Sequence, residues 1–127
     1  MQPFDKEYVC DIAKQILNID SPTGYTKRAI DFMDEEAKKL GYTTGRNQKG
    51  NLLIYVDGKD SEHTLGLSAH LDTLGLMVRS IKDNGKLAIT KVGGPCLPTL
   101  DGEYCKIYTR DGKVYTGCNI ENSSYGA

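Results

Sequence analysis

Apolar residues recur at helical spacing up to Leu40, and from Tyr42 onward they fall into short runs with the spacing of strands. That change of period limits the chain to helices first and sheet afterwards. Phe4, Tyr8, Ile12 and Ile16, backed by Val9 and Leu17, predict one apolar helix face ending at Asn18, with Pro3 suited to the first turn and Cys10 on the buried side. The segment Asp20-Ser21-Pro22-Thr23-Gly24-Tyr25 breaks the pattern with turn residues. Thr26 can then cap a second amphipathic helix that runs through Ile30, Met33, Ala37 and Leu40 to a stop at Gly41. The acidic residues Asp34, Glu35 and Glu36 are expected on its solvated face.

Strands are expected over residues 42–46 and 51–56, joined by the polar Asn47-Gln48-Lys49-Gly50, and a central strand over 64–69, where Leu65, Leu67 and Ala69 alternate with polar or small residues. Beyond Thr73 the helical signal is gone. Residues 74–81 and 87–92 flank Asp83-Asn84-Gly85-Lys86, whose Asn-Gly pair is a hairpin cue because both residues tolerate positive φ. Residues 104–109 and 114–120 flank Asp111-Gly112 in the same way, and Gly93-Gly94-Pro95 and Pro98 punctuate the chain between the hairpins. The result is a helix-plus-sheet portion to about Asp72 and an all-strand portion after it. The ending, from Asn119 to Ala127, supplies no further helix or core strand. A four- or five-strand ribbon needs a covering layer, so the chain reads as a fragment or as a domain completed by another chain.

Bulk properties narrow the function classes. The 127 residues fit about one domain. With 16 basic against 17 acidic residues, the charge favours neither nucleic acid nor an anionic membrane as partner. No apolar run approaches the roughly 18 residues of a membrane span. Pro3, Asp5, Lys6 and Glu7 do not make a signal-peptide opening, so a cytoplasmic chain is expected. The cysteines Cys10, Cys96, Cys105 and Cys118 form no Cys-x-x-Cys pair and read as free thiols in a reducing compartment. A disulfide or a metal site made from Cys96, Cys105 and Cys118 is the alternative.

The chemistry lies at the end of the expected central strand. In Ser68-Ala69-His70-Leu71-Asp72-Thr73-Leu74-Gly75, the histidine and the aspartate two positions on project in the same sense if the run is a strand. That is the arrangement of a metal ligand with a carboxylate close by to orient its ring. Carboxyl ends of strands are also where functional groups gather in sheets flanked by helices. Zinc needs about three or four protein ligands in all, and the remaining candidates here are few. His63 lies in an exposed-looking turn, Asp60-Ser61-Glu62-His63, and is read as solvated.

A collinear series of motifs carries a family resemblance over nearly the whole chain. It comprises Ile19-Asp20-Ser21-Pro22-Thr23-Gly24-Tyr25-Thr26, the helix end Ala37-Lys38-Lys39-Leu40-Gly41-Tyr42, Lys49-Gly50-Asn51-Leu52, Ala69-His70-Leu71-Asp72 with Leu74-Gly75-Leu76-Met77-Val78, and Val92-Gly93-Gly94. In this order they resemble the amino-terminal part of the di-zinc aminopeptidases of metallopeptidase family forty-two, the glutamyl, deblocking and tetrahedral aminopeptidases. The resemblance implies an α/β fold. Residues 1–72 would be the amino-terminal part of a catalytic zinc-peptidase α/β sheet domain, and residues 73–127 the first part of an inserted all-β domain, barrel or PDZ-like, that takes part in subunit association.

By the same resemblance His70 binds one zinc of a pair and Asp72 supports that histidine, with cobalt or manganese as alternative metals. Peptides are the implied substrates, and a homo-oligomer is the implied assembly of the complete protein. The family motif usually carries an acidic residue where this chain has Thr73, a position that is not a ligand. The bridging aspartate, the remaining ligands and the general-base glutamate follow the inserted domain in the family. This stretch alone is therefore expected to be inactive. A reading of a different class is a non-catalytic, β-rich self-association module in which His70 is vestigial.

Overall fold

The computed structural model describes residues 5–60 and 62–120, and its contacts divide them into two units at Leu76 and Met77. In the first unit, α1 spans Lys6–Leu17. Asp5 caps it by accepting a hydrogen bond from the Tyr8 backbone N–H at 2.9 Å. Pro3 and Phe4, expected in the first turn, lie outside the described residues. At the other end Asn18 donates its side-chain amide to the Lys14 carbonyl at 2.7 Å. Ile12 and Ile16, one turn apart, are half-buried where α1 meets α2, whereas Tyr8, Val9 and Leu17 are exposed. Cys10 is exposed too, contrary to expectation. At 3.6 residues per turn it sits roughly 160° around the helix from Ile12, and a single neighbouring helix covers only one stripe.

Helix α2 spans Lys27–Lys39. Thr26 occupies its cap position, but with helical dihedrals (φ −96°, ψ −5°) its hydroxyl makes no capping bond. Ala29 and Ala37, two turns apart, are the buried apolar residues; Ile30 and Met33 are half-buried and Leu40 is exposed. Small side chains at the contact let neighbouring backbone come close, and the larger residues flank it. The helix stops as expected. Gly41 takes φ +86° and donates to Lys38 O at 2.9 Å while Tyr42 N–H reaches Ala37 O at 3.0 Å, the paired bonds that close a helix through a left-handed residue.

Strand β1 (Thr43–Arg46) pairs antiparallel with β2 (Leu52–Tyr55), Thr44 facing Ile54 and Gly45 facing Leu53, and both strands contact α2. The expected central strand over 64–69 does not form. Those residues carry no ladder bonds, and Leu65 and Leu67 are 85% and 92% exposed. Alternation of apolar residues makes a strand only when neighbouring strands take up its N–H and C=O groups. Among the described residues no strand flanks this run. The chain is caught again just beyond it, by a parallel bridge between Pro22 and Thr73.

Strand β3 (Gly75–Ile81) forms a two-stranded sheet with β4 (Leu87–Val92). In the second unit a 3-10 turn, Leu97–Leu100, follows, and then β5 (Tyr104–Tyr108) pairs antiparallel with β6 (Val114–Cys118). The sheet after Thr73 is thus two separate hairpins. Proline at the start of the 3-10 turn has no N–H to extend a ladder. Both hairpins fall where expected, with a different turn. In each, and in the β1–β2 connection as well, a glycine at positive φ donates to the carbonyl three residues back: Gly50 to Asn47, Gly85 to Lys82 and Gly112 to Thr109, at 2.9–3.1 Å. Asn47, Lys82 and Thr109 in turn donate their own N–H to the carbonyls of Asn51, Lys86 and Lys113. Only the glycine is left-handed; Asn84 is not, so the turn is the three-residue type with a glycine bulge in place of the two-residue type.

Taken together, the described residues make a mixed fold of helices and small antiparallel sheets. Among them no helix is long and apolar enough to cross a membrane. Residues 121–127, most of the ending singled out from the sequence, lie outside the described residues.

Candidate metal-binding site

The turn after α1 builds the site. Pro22 and Tyr25 close it by a bond from Tyr25 N–H to Pro22 O at 2.7 Å, and Gly24 supplies the left-handed residue at φ +88°. Ser21, 2% exposed, donates its hydroxyl to Leu71 O at 3.0 Å, and its backbone carbonyl accepts from Thr73 N–H at 2.9 Å. Thr23 N–H in turn reaches Thr73 O at 3.3 Å. Residues 21–23 therefore hold residues 71–73 alongside them in parallel. Gly75 completes the close approach, since a Cβ there would stand 2.5 Å from Pro22 Cβ.

On this frame His70 and Asp72 meet. His70 Nδ1 lies 3.1 Å from Asp72 Oδ1 and 3.0 Å from the Asp72 carbonyl oxygen. A carbonyl can only accept, so the neutral ring carries its proton on Nδ1 and leaves the Nε2 lone pair free. The ring is 86% exposed. Asp72 Oδ2 accepts the Thr23 hydroxyl at 2.6 Å. That bond is the main reason the Asp72 carboxyl sits below the usual aspartate range; His70 adds to it, and partial burial works against it. An outward Nε2 on a ring braced from behind is the form in which imidazole binds a divalent ion. The two residues fit one ligand and its support. Among the described residues no three His, Cys, Asp or Glu side chains gather as a metal would need.

The other candidates separate from this site. His63 Nδ1 lies 2.8 Å from Asp60 Oδ2 in the expected exposed turn. Asp60 is held below its ordinary value mainly by the Glu62 backbone N–H, then by His63. All four cysteines are free thiols. Cys105 faces Gly117 and Cys118 faces Tyr104, one position out of step, which puts the two thiols on opposite faces of the hairpin.

Asp34 and Glu36 are not a solvated helix face. Asp34 accepts from Thr44 Oγ1 at 2.6 Å, Lys38 Nζ at 3.1 Å and Arg46 Nη2 at 3.3 Å, leaving its side chain 16% exposed, and Glu36 pairs with Lys39. The Thr44 hydroxyl first, then Lys38 and Arg46, bring the Asp34 pKa down to about 2. Arg46 also reaches Asp31 at 2.8 Å, so this cluster ties α2 to β1. Helical periodicity shows which residues leave the helix on one side, but not that a strand ten residues on turns back beneath them.

From local pattern Ser21 and Thr23 read as turn formers. Their partners are about fifty residues away, beyond the reach of any local pattern.

A sequence model of the M42 glutamyl aminopeptidase family matches residues 50–124. A putative aminopeptidase, YhfE, of Bacillus subtilis is 41% identical over 107 residues, which are 84% of this chain and 31% of the relative. A glutamyl aminopeptidase of Lactococcus lactis is 27% identical over 92% of this chain and 32% of its own length. A lysyl aminopeptidase of Pyrococcus furiosus is 26% identical over 83% and 30%. The chain spans about a third of the length of these curated relatives. With more than half of its residues matched, the chain belongs to the M42 glutamyl aminopeptidase family.

Proposed function

We propose that this chain supplies one metal-binding histidine and its supporting carboxylate, His70 and Asp72, to a metal-dependent aminopeptidase that removes amino-terminal residues from peptides. The observation that carries the reading is the braced ring: Nδ1 held between two oxygens of Asp72, with Nε2 free. Membership of the M42 family supports peptides as the substrate class. A divalent ion bound at such a centre polarises the scissile carbonyl and activates water. Zinc is the default for histidine and carboxylate donors, two ions per complete site, with cobalt or manganese as alternatives.

On this reading residues 1–72 belong to the catalytic α/β domain and residues 73–127 begin an inserted β-rich association domain. Exposed Tyr104 and Val114 on one face of the β5–β6 hairpin support a surface that other protein covers, as in a homo-oligomer of the complete enzyme in the cytoplasm. One imidazole with one carboxylate holds zinc weakly, so these 127 residues alone turn over no peptide.

The test is made in a polypeptide that carries this chain together with the remaining ligands. It should release residues from peptides with a free amino terminus, not from acetylated ones, and chelation should stop it. His70→Ala should abolish that turnover and Asp72→Asn should lower it about 10- to 100-fold. Full metal-dependent turnover in the His70→Ala protein would refute the assignment.

A further inference from the structure

We infer that Thr23 is a positioning residue for the metal-binding histidine, acting through Asp72; the inference rests on the reading of His70 as a ligand. A carboxylate on a short side chain turns easily about its last torsion, which is broad and two-fold. Asp72 has two oxygens to place. The Thr23 hydroxyl takes Oδ2 at 2.6 Å, a short bond to a charged acceptor, and this leaves Oδ1 toward His70 Nδ1 at 3.1 Å.

Thr23 is itself held. Its N–H reaches Thr73 O at 3.3 Å, and its neighbour Ser21, buried, grips Leu71 O and Thr73 N–H on the same segment. The hydroxyl is therefore delivered by a frame bonded at the residues on either side of Asp72. His70 is 86% exposed, so no wall of side chains does the orienting. The Asp72 carbonyl takes Nδ1 from one side at 3.0 Å, and the chain of contacts Thr23 to Asp72 to His70 supplies the second oxygen that holds the ring with Nε2 outward.

The experiment uses the full chain and zinc alone as probe. Long-range proton–nitrogen correlation spectra of the histidine rings report the His70 tautomer, and zinc titration followed in the same spectra reports affinity at Nε2. Thr23→Val keeps the shape and removes the hydroxyl. It should raise the share of the Nε2-protonated tautomer and weaken zinc binding roughly three- to tenfold, less than the 10- to 100-fold typical of a ligand's own partner. Thr23→Ser should restore both. If Thr23→Val perturbs the fold, Thr23→Ser against Thr23→Ala makes the same comparison without the branched methyl.

A tautomer and affinity unchanged in Thr23→Val, with zinc still lost in His70→Ala, would overturn the role of Thr23 and leave the ligand assignment standing. A shifted tautomer with no zinc at His70 in any variant would keep the positioning and overturn the ligand assignment. Equal loss in Thr23→Ser and Thr23→Val would show that the hydroxyl, which serine keeps, does not carry the effect, which also overturns the inference.

Discussion

The Ser21 hydroxyl donates to the Leu71 carbonyl across fifty residues of sequence, at 3.0 Å, and Ser21 is the most deeply buried polar residue described. This contact sets the segment that carries His70 and Asp72 against the turn after α1. Ser21→Ala removes the donor and leaves the carbonyl without it. A loss of about 1 kcal/mol in unfolding free energy is expected, read as a lower urea midpoint at unchanged slope.

Gly75→Ala should cost more. Its Cβ would stand 2.5 Å from Pro22 Cβ, a ring atom that cannot rotate away. Relief requires separating the two bridged segments, at a cost of roughly 1–3 kcal/mol. Gly117→Ala is the control: there the Cβ meets the end of Ile107, 2.8 Å away, a side chain free to choose another rotamer. Comparison of the two urea midpoints decides it, and a smaller effect at Gly75 than at Gly117 would contradict the close approach.

The Asp34 cluster predicts a pH dependence. Its pKa falls from 3.8 to about 2 in the folded protein, so the unfolded chain takes up the proton first as pH drops. The contribution is fully present above about pH 4 and is lost as pH falls toward about 2. Asp34→Asn should flatten the stability profile over that window, measured by thermal unfolding at a series of pH values. Thr44→Val should flatten it partly, because the Thr44 hydroxyl is the largest single cause.

Local elements were legible because their signals are local. Gly41 ended α2, and the glycines at 85 and 112 marked both late hairpins, each through bonds within five residues. The His70–Asp72 contact is present, two residues apart, although the strand expected to align the two side chains is not. What failed depends on distant partners. Residues 64–69 alternate like a strand, but alternation says nothing about whether neighbours exist to take the ladder bonds. Cys10 and Asp34 were misplaced because burial depends on which element lies opposite, α2 for the first and β1 for the second. Thr23 could not be distinguished from other turn residues until Asp72 stood beside it.

The chain by itself is expected to show no aminopeptidase turnover on addition of zinc or cobalt. Release of an amino-terminal residue from a chromogenic peptide amide is the assay. Activity that disappears in His70→Ala would contradict the reading that the described residues bring together one ligand and its support.

Zinc titration of the chain, followed through the imidazole nitrogens of His63 and His70, tests the account most directly. His70 Nε2 should move while its Nδ1 stays protonated. His63 should respond less, His70→Ala should remove the main response, and Asp72→Asn should weaken it about 10- to 100-fold. Zinc that moves His63 and leaves His70 unchanged, or that binds His70 through Nδ1, would contradict the assignment of His70 and Asp72 as ligand and support.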